Sequence, residues 1–444
     1  MRSSASLLAL LLAGAVVAAA PRGMRVQPAA NGRQIIASAS SLRRGFSSTA
    51  AVVELRAWNQ VVDDWWHTGE LTRVSVAPDA LVSGRTHEQF QQVHLGVAIW
   101  SGDLRRQLNA FGQTESIFGT YYPNVDVDVT PAVAAAHASV LLAEAGDGAP
   151  GPASPTDLVI VPTNQGFRLA WTARVVSLKD DVMRRVFLDA RSGDVLFSYD
   201  DTWRQNAAAY DMHGDRARVT RVLAGLLGLG AQEPAANAAD PPAGLSAEDA
   251  QAALRTAQEF FLARFGRRGL AARAQPVRLM FNADRQDDAA YYGGGDIVMS
   301  ARIAALGRAD VTAVVAHELA HGITEYTSNL IYLNESGALN EAFSEIMAVS
   351  AKRYAQDAGS AGADDTGARA SLAAQVFESA VRGLGLDQRE KIERVMYRAF
   401  TALLPSNATF EMARWAMLEA AVDLYGSGSD VERALADAWT AAGR

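Results

Sequence analysis

The stretch Val314-Val-Ala-His317-Glu-Leu-Ala-His321 is the most informative part of the sequence, because it predicts a helix that carries two histidines on one face. Apolar residues recur at helical spacing through it, and Asp310 stands at the position expected of a helix cap, so we expect a helix over 310–326. Side chains four residues apart lie on the same helix face, roughly 5–6 Å from each other. Two imidazoles in this arrangement can reach one metal ion.

Glu318 follows the first histidine directly and points to the side where a metal's water ligand would lie. The pattern His-Glu-x-x-His therefore combines two neutral nitrogen ligands with a carboxylate general base. The alternative interpretation is that the two histidines form only a polar helix face or a structural contact. The five-residue pattern does not decide between these two readings.

A second stretch, Asn334-Glu-Ser-Gly337-Ala-Leu-Asn-Glu341-Ala-Phe-Ser-Glu345-Ile, completes a metal-binding set. Gly337 can close a turn, and the apolar residues after it recur at helical spacing, which places Glu341 near the start of a second helix. Two histidines and one carboxylate leave the fourth tetrahedral position open, as in catalytic zinc sites. Glu345 could orient a liganding histidine through its ring N–H, or it is a solvated acid on the helix face.

The run from His317 to Glu341 closely resembles the core of the thermolysin-like neutral metalloproteases. The resemblance implies that His317, His321 and Glu341 bind zinc and that Glu318 activates water. It also implies that Tyr332 donates a hydrogen bond to the tetrahedral intermediate. On sequence grounds alone Tyr332 would be a core or interface aromatic residue.

Length and composition limit the remaining possibilities. With 444 residues, 49% of them hydrophobic, we expect two or three domains. The net charge of -8, without a basic block, argues against a nucleic-acid partner, and the absence of cysteine excludes disulfides and thiolate ligands.

The apolar run within residues 1–20 predicts a signal peptide. No other segment is long enough to span a membrane, so we expect an exported protein without a stable membrane anchor.

The N-terminal half has the alternating runs and glycine breaks of small α/β modules. Residues 21–145 resemble the fungalysin/thermolysin-type propeptide, and residues 156–203 resemble the PepSY module that precedes the catalytic domain in the same proteases. The resemblance implies an intramolecular chaperone and inhibitor that is removed on maturation. His87 and His94 lie in the first module without a matching carboxylate pattern, so we interpret them as structural.

The C-terminal half is expected to form the catalytic domain, and the predicted fold class is α+β. A β-containing N-lobe with the zinc helices covers residues 206–356, and a shortened, mainly α-helical C-lobe covers residues 357–444. The resemblance places Asn282 and Ala283 on the edge strand of the cleft, where main-chain groups pair with an extended substrate. Without the resemblance, the sequence pattern around these two residues predicts only the end of a strand.

The sequence departs from the family in two places that affect activity and metal content. None of its seven histidines lies after His321, although the family carries a later histidine that stabilises the oxyanion. Two acids of the family's paired calcium site are replaced by Ala313 and Lys352, so we expect no calcium at that place. The loss of one oxyanion donor typically lowers turnover by about 10²–10³-fold.

We therefore predict a secreted zinc metalloendopeptidase precursor, a monomer that cleaves protein or peptide substrates with Glu318 as general base. One alternative is a pseudoprotease that binds zinc but cuts nothing, because the late histidine is missing. The other is an iron oxygenase with two histidines and one carboxylate, which Glu318 and the two-helix context argue against.

Overall fold

The computed structural model describes residues 32–38, 48–145, 156–177, 182–205, 244–271, 276–283, 289–357 and 372–443. Three regions of interest in the sequence lie outside these residues: the predicted signal peptide; residues 146–155, whose glycine and proline content predicts a linker; and residues 358–371, part of a connection that is shorter than in the family the sequence resembles. In the part of the chain that is described, every helix is too short or too polar to cross a lipid bilayer.

The N-terminal half forms one nine-stranded sheet. Its strands are β1 (Arg33–Ser38), β2 (Leu71–Pro78), β3 (Thr86–His94), β4 (Val97–Leu108), β5 (Thr114–Tyr121), β6 (Asp157–Thr163), β7 (Gly166–Ser177), β8 (Val182–Asp189) and β9 (Val195–Asp200). The main order is β1-β5-β4-β6-β7-β8-β9, and β3 pairs with both β2 and β4. The two predicted modules meet where β4 and β6 pair in parallel over two residue pairs. We call this sheet with its helices the N-terminal module.

Two helices cover the N-terminal module. They are α1 (Ser48–His67) and α2 (Ala135–Ala145). Helix α1 packs on β1, β2 and β5, where Trp65 stacks on Tyr121 with ring centroids 3.8 Å apart. Helix α2 packs on β7 and β8, and its buried Ala138 and Leu142 belong to the core of this half. Large apolar side chains on both helices thus hold them on the sheet.

A four-stranded sheet leads into the catalytic half. Its strands are β10 (Trp203–Gln205), β11 (Arg278–Ala283), β12 (Ala289–Tyr291) and β13 (Asp296–Ser300), in the order β10-β12-β13-β11. Strand β10 follows β9 after only two residues, so the chain passes directly from the larger sheet into the smaller one. Strand β11 lies at the edge, as expected for the segment that carries Asn282 and Ala283.

Helices make up the remainder of the described chain. They are α3 (Ala247–Phe265), α4 (Arg308–Glu325), α5 (Asn334–Asp357), α6 (Leu372–Leu384), α7 (Arg389–Arg398), α8 (Phe410–Tyr425) and α9 (Asp430–Ala441). Short 3₁₀ turns cover Ala301–Ala305 and Leu386–Gln388, and a π-helical turn, Ala399–Leu403, continues α7. The α+β fold class predicted from the sequence is confirmed.

Local predictions about helix ends are partly confirmed. The pattern Ser246-Ala-Glu-Asp249, a serine three residues before an acid, predicts a helix that Ser246 caps. Ser246 does cap α3 by accepting a hydrogen bond from the backbone N–H of Asp249. The prediction that Asp310 caps α4 is wrong, because the helix begins at Arg308 after Gly307 and Asp310 lies in its first turn. There the Asp310 carboxylate pairs with the Lys352 ammonium of α5 at 2.7 Å.

Gly337 has a different role from the predicted turn. It lies inside α5, and a Cβ built on it would meet the backbone carbonyl carbon of Tyr332 at 2.9 Å. Real Cβ atoms do not approach so closely, and any side chain here would displace the backbone of Tyr332. The glycine therefore lets the first turn of α5 contact the preceding loop.

The main hydrophobic core lies among α3 to α9 and includes the inner faces of α4 and α5. Phe118 of β5 is fully buried and belongs to the same cluster, and Ile36 of β1 packs against it. The N-terminal module thus contributes apolar surface to the core that supports the two histidines.

Candidate metal centre

Helix α4 brings His317 and His321 together on its buried face. Their ring centroids lie 4.7 Å apart, and the two Nε2 atoms are separated by 3.0 Å. His317 is 4% exposed and His321 is fully buried. The apolar residues that surround them in the sequence, Val314, Val315 and Leu319, face the core and fix the orientation of the helix.

Helix α5 supplies a carboxylate to the same point. The Glu341 oxygens lie 3.4 Å from the Nε2 of His317 and 3.4 Å from the Nε2 of His321. A tetrahedral zinc ion with bonds of about 2.0–2.1 Å places its ligand atoms about 3.3–3.4 Å apart. The three observed separations, 3.0, 3.4 and 3.4 Å, are those of one face of such a tetrahedron. The donor set therefore fits a zinc ion, with a fourth position open.

These three side chains form the single group of candidate metal ligands among the described residues. The Glu341 side chain is 32% exposed, whereas both imidazoles are buried. The group is consequently exposed to solvent at Glu341 and enclosed by the core at the two histidines of α4.

The electrostatics of the group suit metal binding. Burial lowers the pKa of His321 to about 4, so this imidazole is neutral at pH 7 and its lone pair is available. Burial also opposes the charged form of His317, but the hydrogen bond and charge of Glu341, aided by Glu318 and Glu345, outweigh it and raise the pKa of His317. The pKa of Glu341 is lowered, because the two histidines outweigh its burial.

Asn340 contacts His321, although it was not predicted from the sequence to belong to the site. Its Oδ1 lies 2.9 Å from the Nδ1 of His321, so the ring N–H can donate to it and leave Nε2 free for a metal. The Thr324 hydroxyl donates to the same Oδ1 at 3.1 Å, and the Asn340 amide donates to the carbonyl of Leu330. The available signal was an asparagine, a poor helix former, within an apolar helical run.

Glu318, the predicted general base, directly follows His317 on α4. It is completely buried next to His317, and its negative charge helps to raise the pKa of that histidine. The role of Glu318 stays a prediction that this placement supports.

Tyr332 lies beside the three candidate ligands. Its hydroxyl donates to Glu341 Oε1, and its ring centroid is 6.3 Å from that of His321. The residue stands at the centre of a tight turn, in which the N–H of Leu333 donates to the carbonyl of Ile331 at 2.7 Å. The hydroxyl therefore reaches the ligand group from a loop, residues 326–333, that we call the Tyr332 loop.

The other predicted site residues have different surroundings. Glu345 lies one turn after Glu341 and is half-buried, and its negative charge helps to raise the pKa of His317.

Asn282 and Ala283, the predicted substrate-binding residues, contact other parts of the scaffold. Asn282 has φ of 59°, and its side chain pairs with both backbone polar groups of Leu245 at 2.8 and 3.0 Å. Ala283 pairs with Ser300 of β13. The substrate role of Asn282 and Ala283 stays a prediction, since these contacts are with the scaffold.

His87 also has structural contacts, which agrees with its interpretation from the sequence. Its Nε2 lies 2.7 Å from Asp79 Oδ2, and both side chains are buried. Burial lowers the pKa of His87, although Asp79 opposes the shift. The pair belongs to a polar cluster between the N-terminal module and the helical lobe, as described below.

Comparison with known proteins identifies the relatives of this chain. The model of the thermolysin metallopeptidase catalytic domain matches residues 179–325, and that of the thermolysin metallopeptidase alpha-helical domain matches residues 328–384 and 366–443. Together they match more than half of the chain. A precursor of protealysin, a metalloproteinase from Serratia proteamaculans, aligns over 47% of this chain and 81% of its own, at 19% identity and a TM-score of 0.36, too low to support any argument.

Among curated proteins, neutral protease B of Bacillus subtilis is 25% identical over 81% of this chain and 82% of its own length. The extracellular elastase of Staphylococcus epidermidis is 29% identical over 36% of this chain, and a thermolysin of Alicyclobacillus acidocaldarius is 30% identical over 29%. The chain spans 37% and 32% of these last two proteins. The matched domains and the three grouped ligands lead to one conclusion: the chain belongs to the thermolysin family of metallopeptidases.

Proposed function

We propose that the protein is an exported zinc metalloendopeptidase that cleaves protein or peptide substrates as a monomer. The observation that carries this proposal is the arrangement of His317, His321 and Glu341 at tetrahedral ligand spacing, with Glu318 buried beside them. Export is supported by the extracellular elastases among the relatives.

The proposed chemistry assigns a task to each residue. A bound Zn²⁺ would supply a Lewis acid that polarises the scissile carbonyl and lowers the pKa of water. Glu318 accepts the proton from that water and transfers it to the leaving amine. Tyr332 turns its hydroxyl from Glu341 to the carbonyl oxygen and donates a hydrogen bond as negative charge develops there. Asn340 keeps His321 in the tautomer that presents Nε2.

The ion pair between Asp310 and Lys352 supports the proposal that this part of the protein needs no calcium. The Lys352 ammonium approaches the Asp310 carboxylate to 2.7 Å and joins the first turn of α4 to the distal half of α5. A positive side chain at this place repels a second cation. Zinc is then the metal on which activity depends.

For the division of the chain, we propose a propeptide-like region up to about residue 203 and a catalytic region from 206, with the helical lobe after residue 356. The N-terminal module assists folding of the catalytic half, which is supported by Phe118 in the shared core. The likeness of residues 156–203 to a PepSY module belongs to the same proposal.

A second candidate function is a zinc-binding pseudoprotease. The absence of any histidine after His321 favours it, because a second oxyanion donor of that type is missing from the sequence. Zinc and Tyr332 remain as stabilising groups, so the expected consequence is slow hydrolysis, not its complete loss.

A cleavage assay on casein, with the chain's own cleavage products followed by mass spectrometry, distinguishes the two functions. The peptidase proposal expects hydrolysis that a chelator stops, that zinc restores and that Glu318→Ala lacks. Intact casein together with one bound zinc per chain would reject it in favour of the pseudoprotease. Metal analysis of the purified protein also tests iron directly.

A further inference from the structure

A buried polar cluster joins the N-terminal module to the helical lobe. The module contributes His87 of β3 together with Asp79 and Arg85 from the loop between β2 and β3. The helical lobe contributes Arg398 of α7, which lies 2.7 Å from Asp79 and 3.0 Å from Asp423 of α8. Arg85 reaches the same Asp423 at 2.7 Å. We call these five side chains the interface cluster.

Within the interface cluster, one oxygen of Asp79 serves two partners. Its Oδ1 accepts the backbone N–H groups of Leu81 and Val82 at 2.7 and 2.9 Å. Its Oδ2 lies 2.7 Å from Nε2 of His87 and 2.7 Å from Nε of Arg398. The imidazole of the module and the guanidinium of the helical lobe therefore share a single carboxylate oxygen, and Arg398 already balances its charge.

The surroundings of His87 disfavour a second ring proton. Its Nδ1 is buried and has no hydrogen-bond partner among the described residues. An imidazolium carries an N–H on both nitrogens, so this N–H would be buried without an acceptor. Burial lowers the pKa of His87, and the positive charges of Arg398 and Arg105 add to this effect, while Asp79 opposes it. The imidazole is consequently neutral at pH 7 while the module is docked.

The charged groups around His87 come from three elements. They are Asp79 of the loop between β2 and β3, Arg105 of β4 and Arg398 of α7. Beyond them, Arg85 pairs with Asp423 and with Glu115 of β5 at 3.1 Å. Of the direct neighbours, only Arg398 belongs to the helical lobe, so it is the charge that His87 loses when the module undocks.

The remainder of the interface includes apolar packing that is independent of pH. Phe187 and Phe197 stack with ring centroids 4.3 Å apart, and Trp100 lies 5.1 Å from Phe187. Residues 331–333 of the Tyr332 loop pack against this aromatic cluster. Protonation of His87 would therefore weaken the docking of the module without removing every contact.

A separate hydrogen bond reports whether the module is docked. Asp103 of β4 accepts the backbone N–H of Ser406 at 3.0 Å and its hydroxyl at 2.6 Å. The carbonyl of Ser406 in turn accepts the N–H of Ile331 at 2.9 Å. Because the acceptor of the Ser406 amide belongs to the module, undocking exposes this amide to hydrogen exchange.

We propose that His87 and Asp79 form a proton-sensitive contact, in which acid transfers Asp79 from Arg398 to a protonated His87 and so loosens the docking of the N-terminal module. This rests on the proposed division of the chain, since it regulates how a propeptide-like region separates from the catalytic half. In the docked chain Arg398 balances Asp79. In the undocked module Arg398 is absent, and the same carboxylate stabilises the imidazolium. The proton therefore binds the undocked form more tightly, and docking weakens as the pH falls below about 6.5.

Hydrogen exchange in the full chain tests this proposal. Glu318→Gln serves as the parent, because the missing base keeps the chain uncut. After correction for the pH dependence of intrinsic exchange, protection of the Ser406 amide should fall by about three- to fivefold from pH 6.5 to 5.5, since one proton changes docking by at most about tenfold per pH unit. Amides within α4, whose acceptors lie in the same helix, should keep their protection.

His87→Gln is the decisive variant, because its amide can donate to Asp79 but does not titrate. Its Ser406 protection should change less than about 1.5-fold over this range. His137→Gln, at an exposed position of α2, is the matched control and should show the parental fall. Burial raises the pKa of Asp103, but this carboxylate is present in all three proteins, so the difference between them reports His87. An equal fall in His87→Gln, or no fall in the parent, overturns the proposal.

Histidine NMR supplies the answer if His87→Gln does not dock. In the uncut parent the His87 ring should titrate at lower pH than the His137 ring, and Arg398→Met should shift the His87 midpoint upward. A His87 midpoint at or above that of His137 in the parent overturns the proposal. Neither measurement needs catalysis. A protein without chelator-sensitive hydrolysis rejects the proposed peptidase function instead, and both readouts still test the contact.

Discussion

The metal centre and the Tyr332 loop lie side by side but are built in different ways. The three candidate ligands and Asn340 come from two adjacent helices within 25 residues of sequence, and these four side chains contact one another directly. The Tyr332 loop lies inside the same stretch, yet it is held by Asp103 and Ser406, which are 303 positions apart in the chain. The ligands thus depend on local helical geometry, whereas the Tyr332 loop also depends on contacts with a distant module while that module is docked.

This difference separates metal binding from turnover. A variant that weakens the interface between the two halves should spare the ligands, because α4 and α5 pack on each other directly. In the uncut chain the same variant should displace the loop. The protein can therefore lose activity in two ways that metal analysis distinguishes: with the metal lost, or with the metal retained and the loop displaced.

Glu318→Gln should have the largest effect on turnover. It keeps the size of the side chain and removes the base, so we expect kcat to fall by about 10³–10⁴-fold while zinc stoichiometry stays at one. Initial rates on a peptide substrate and metal analysis check this. The control is Glu259→Gln, an exposed acid on α3, which should retain parental rates. A Glu318 variant with parental turnover would remove the general base from the proposed mechanism.

Arg398→Met should have the largest effect on stability. The Arg398 guanidinium is 1% exposed and lies 2.7 Å from Asp79 of the N-terminal module and 3.0 Å from Asp423 of α8. Its removal leaves two buried carboxylates without this cation, and we expect a loss of about 3–5 kcal/mol in the free energy of unfolding.

Urea unfolding of this variant is compared with that of Arg433→Met. Arg433 pairs with Asp430 on the surface, and its removal should cost less than about 1 kcal/mol. If Arg398→Met costs as little, the polar interface does not stabilise the docking of the module and the contrast between the two regions weakens.

Tyr332→Phe should lower turnover without changing metal binding, so it tests the difference between the loop and the ligands most directly. The ring keeps its packing on the aromatic cluster but loses the hydroxyl, so kcat should fall by about 10²–10³-fold. Zinc content and KM should stay close to parental values. Tyr326→Phe, at an exposed position of the same loop, serves as control. Lower zinc content in Tyr332→Phe would show that the tyrosine acts through Glu341 instead.

Asn340→Ala should lower metal affinity by acting on the ligand His321, without displacing the Tyr332 loop. Without its acceptor the ring of His321 is less well oriented, and metal affinity should fall by about 10–100-fold, measured by competition with a chelator. Asn340→Asp keeps an oxygen at the same position and should retain most of the affinity. Equal affinity in all three proteins would mean that Ser344, whose hydroxyl lies 3.1 Å from the same nitrogen, orients the ring.

The smallest expected effect is a pH dependence at the interface. Burial lowers the pKa of His87 below its ordinary value near 6.5, with Asp79, Arg398 and Arg105 as its charged neighbours. Around pH 6 the unfolded chain therefore binds more protons than the folded chain, and stability is expected to decline as pH falls from about 6.5 to 5.5.

Urea midpoints at both pH values test this expectation. His87→Gln should show a flatter profile between pH 6.5 and 5.5, whereas His67→Gln, at an exposed position of α1, should keep the parental slope. A parental slope in His87→Gln would assign the decline to other groups.

The contrast also explains which features could be predicted from the sequence. The histidine pair follows from spacing, since residues four apart on a helix must lie together. Glu341 was added to the pair from its place near the start of the next helix and from the resemblance to the family. The cap of α3 by Ser246 is similarly local. Asn340 was missed because its partner, His321, is reached only once α4 and α5 pack, and packing angles are not encoded in spacing.

The support of the Tyr332 loop could not be predicted at all. Nothing in the sequence around Asp103 or Ser406 indicates that the two meet, because the contact joins a strand of one half to a loop of the other. The wrong cap at Asp310 has a similar cause. Its carboxylate pairs with Lys352 on the neighbouring helix, so a tertiary contact replaces the local one.

Strand β10 has a consequence for any cut in the chain. Trp203, Arg204 and Gln205 pair with Tyr291, Ala290 and Ala289 of β12, so these residues belong to the catalytic sheet although they follow directly on the N-terminal module. A peptide bond broken after Gln205 would leave this strand in place as a non-covalent partner. The two fragments would then co-purify as a heterodimer, giving two bands on a denaturing gel and one peak in gel filtration.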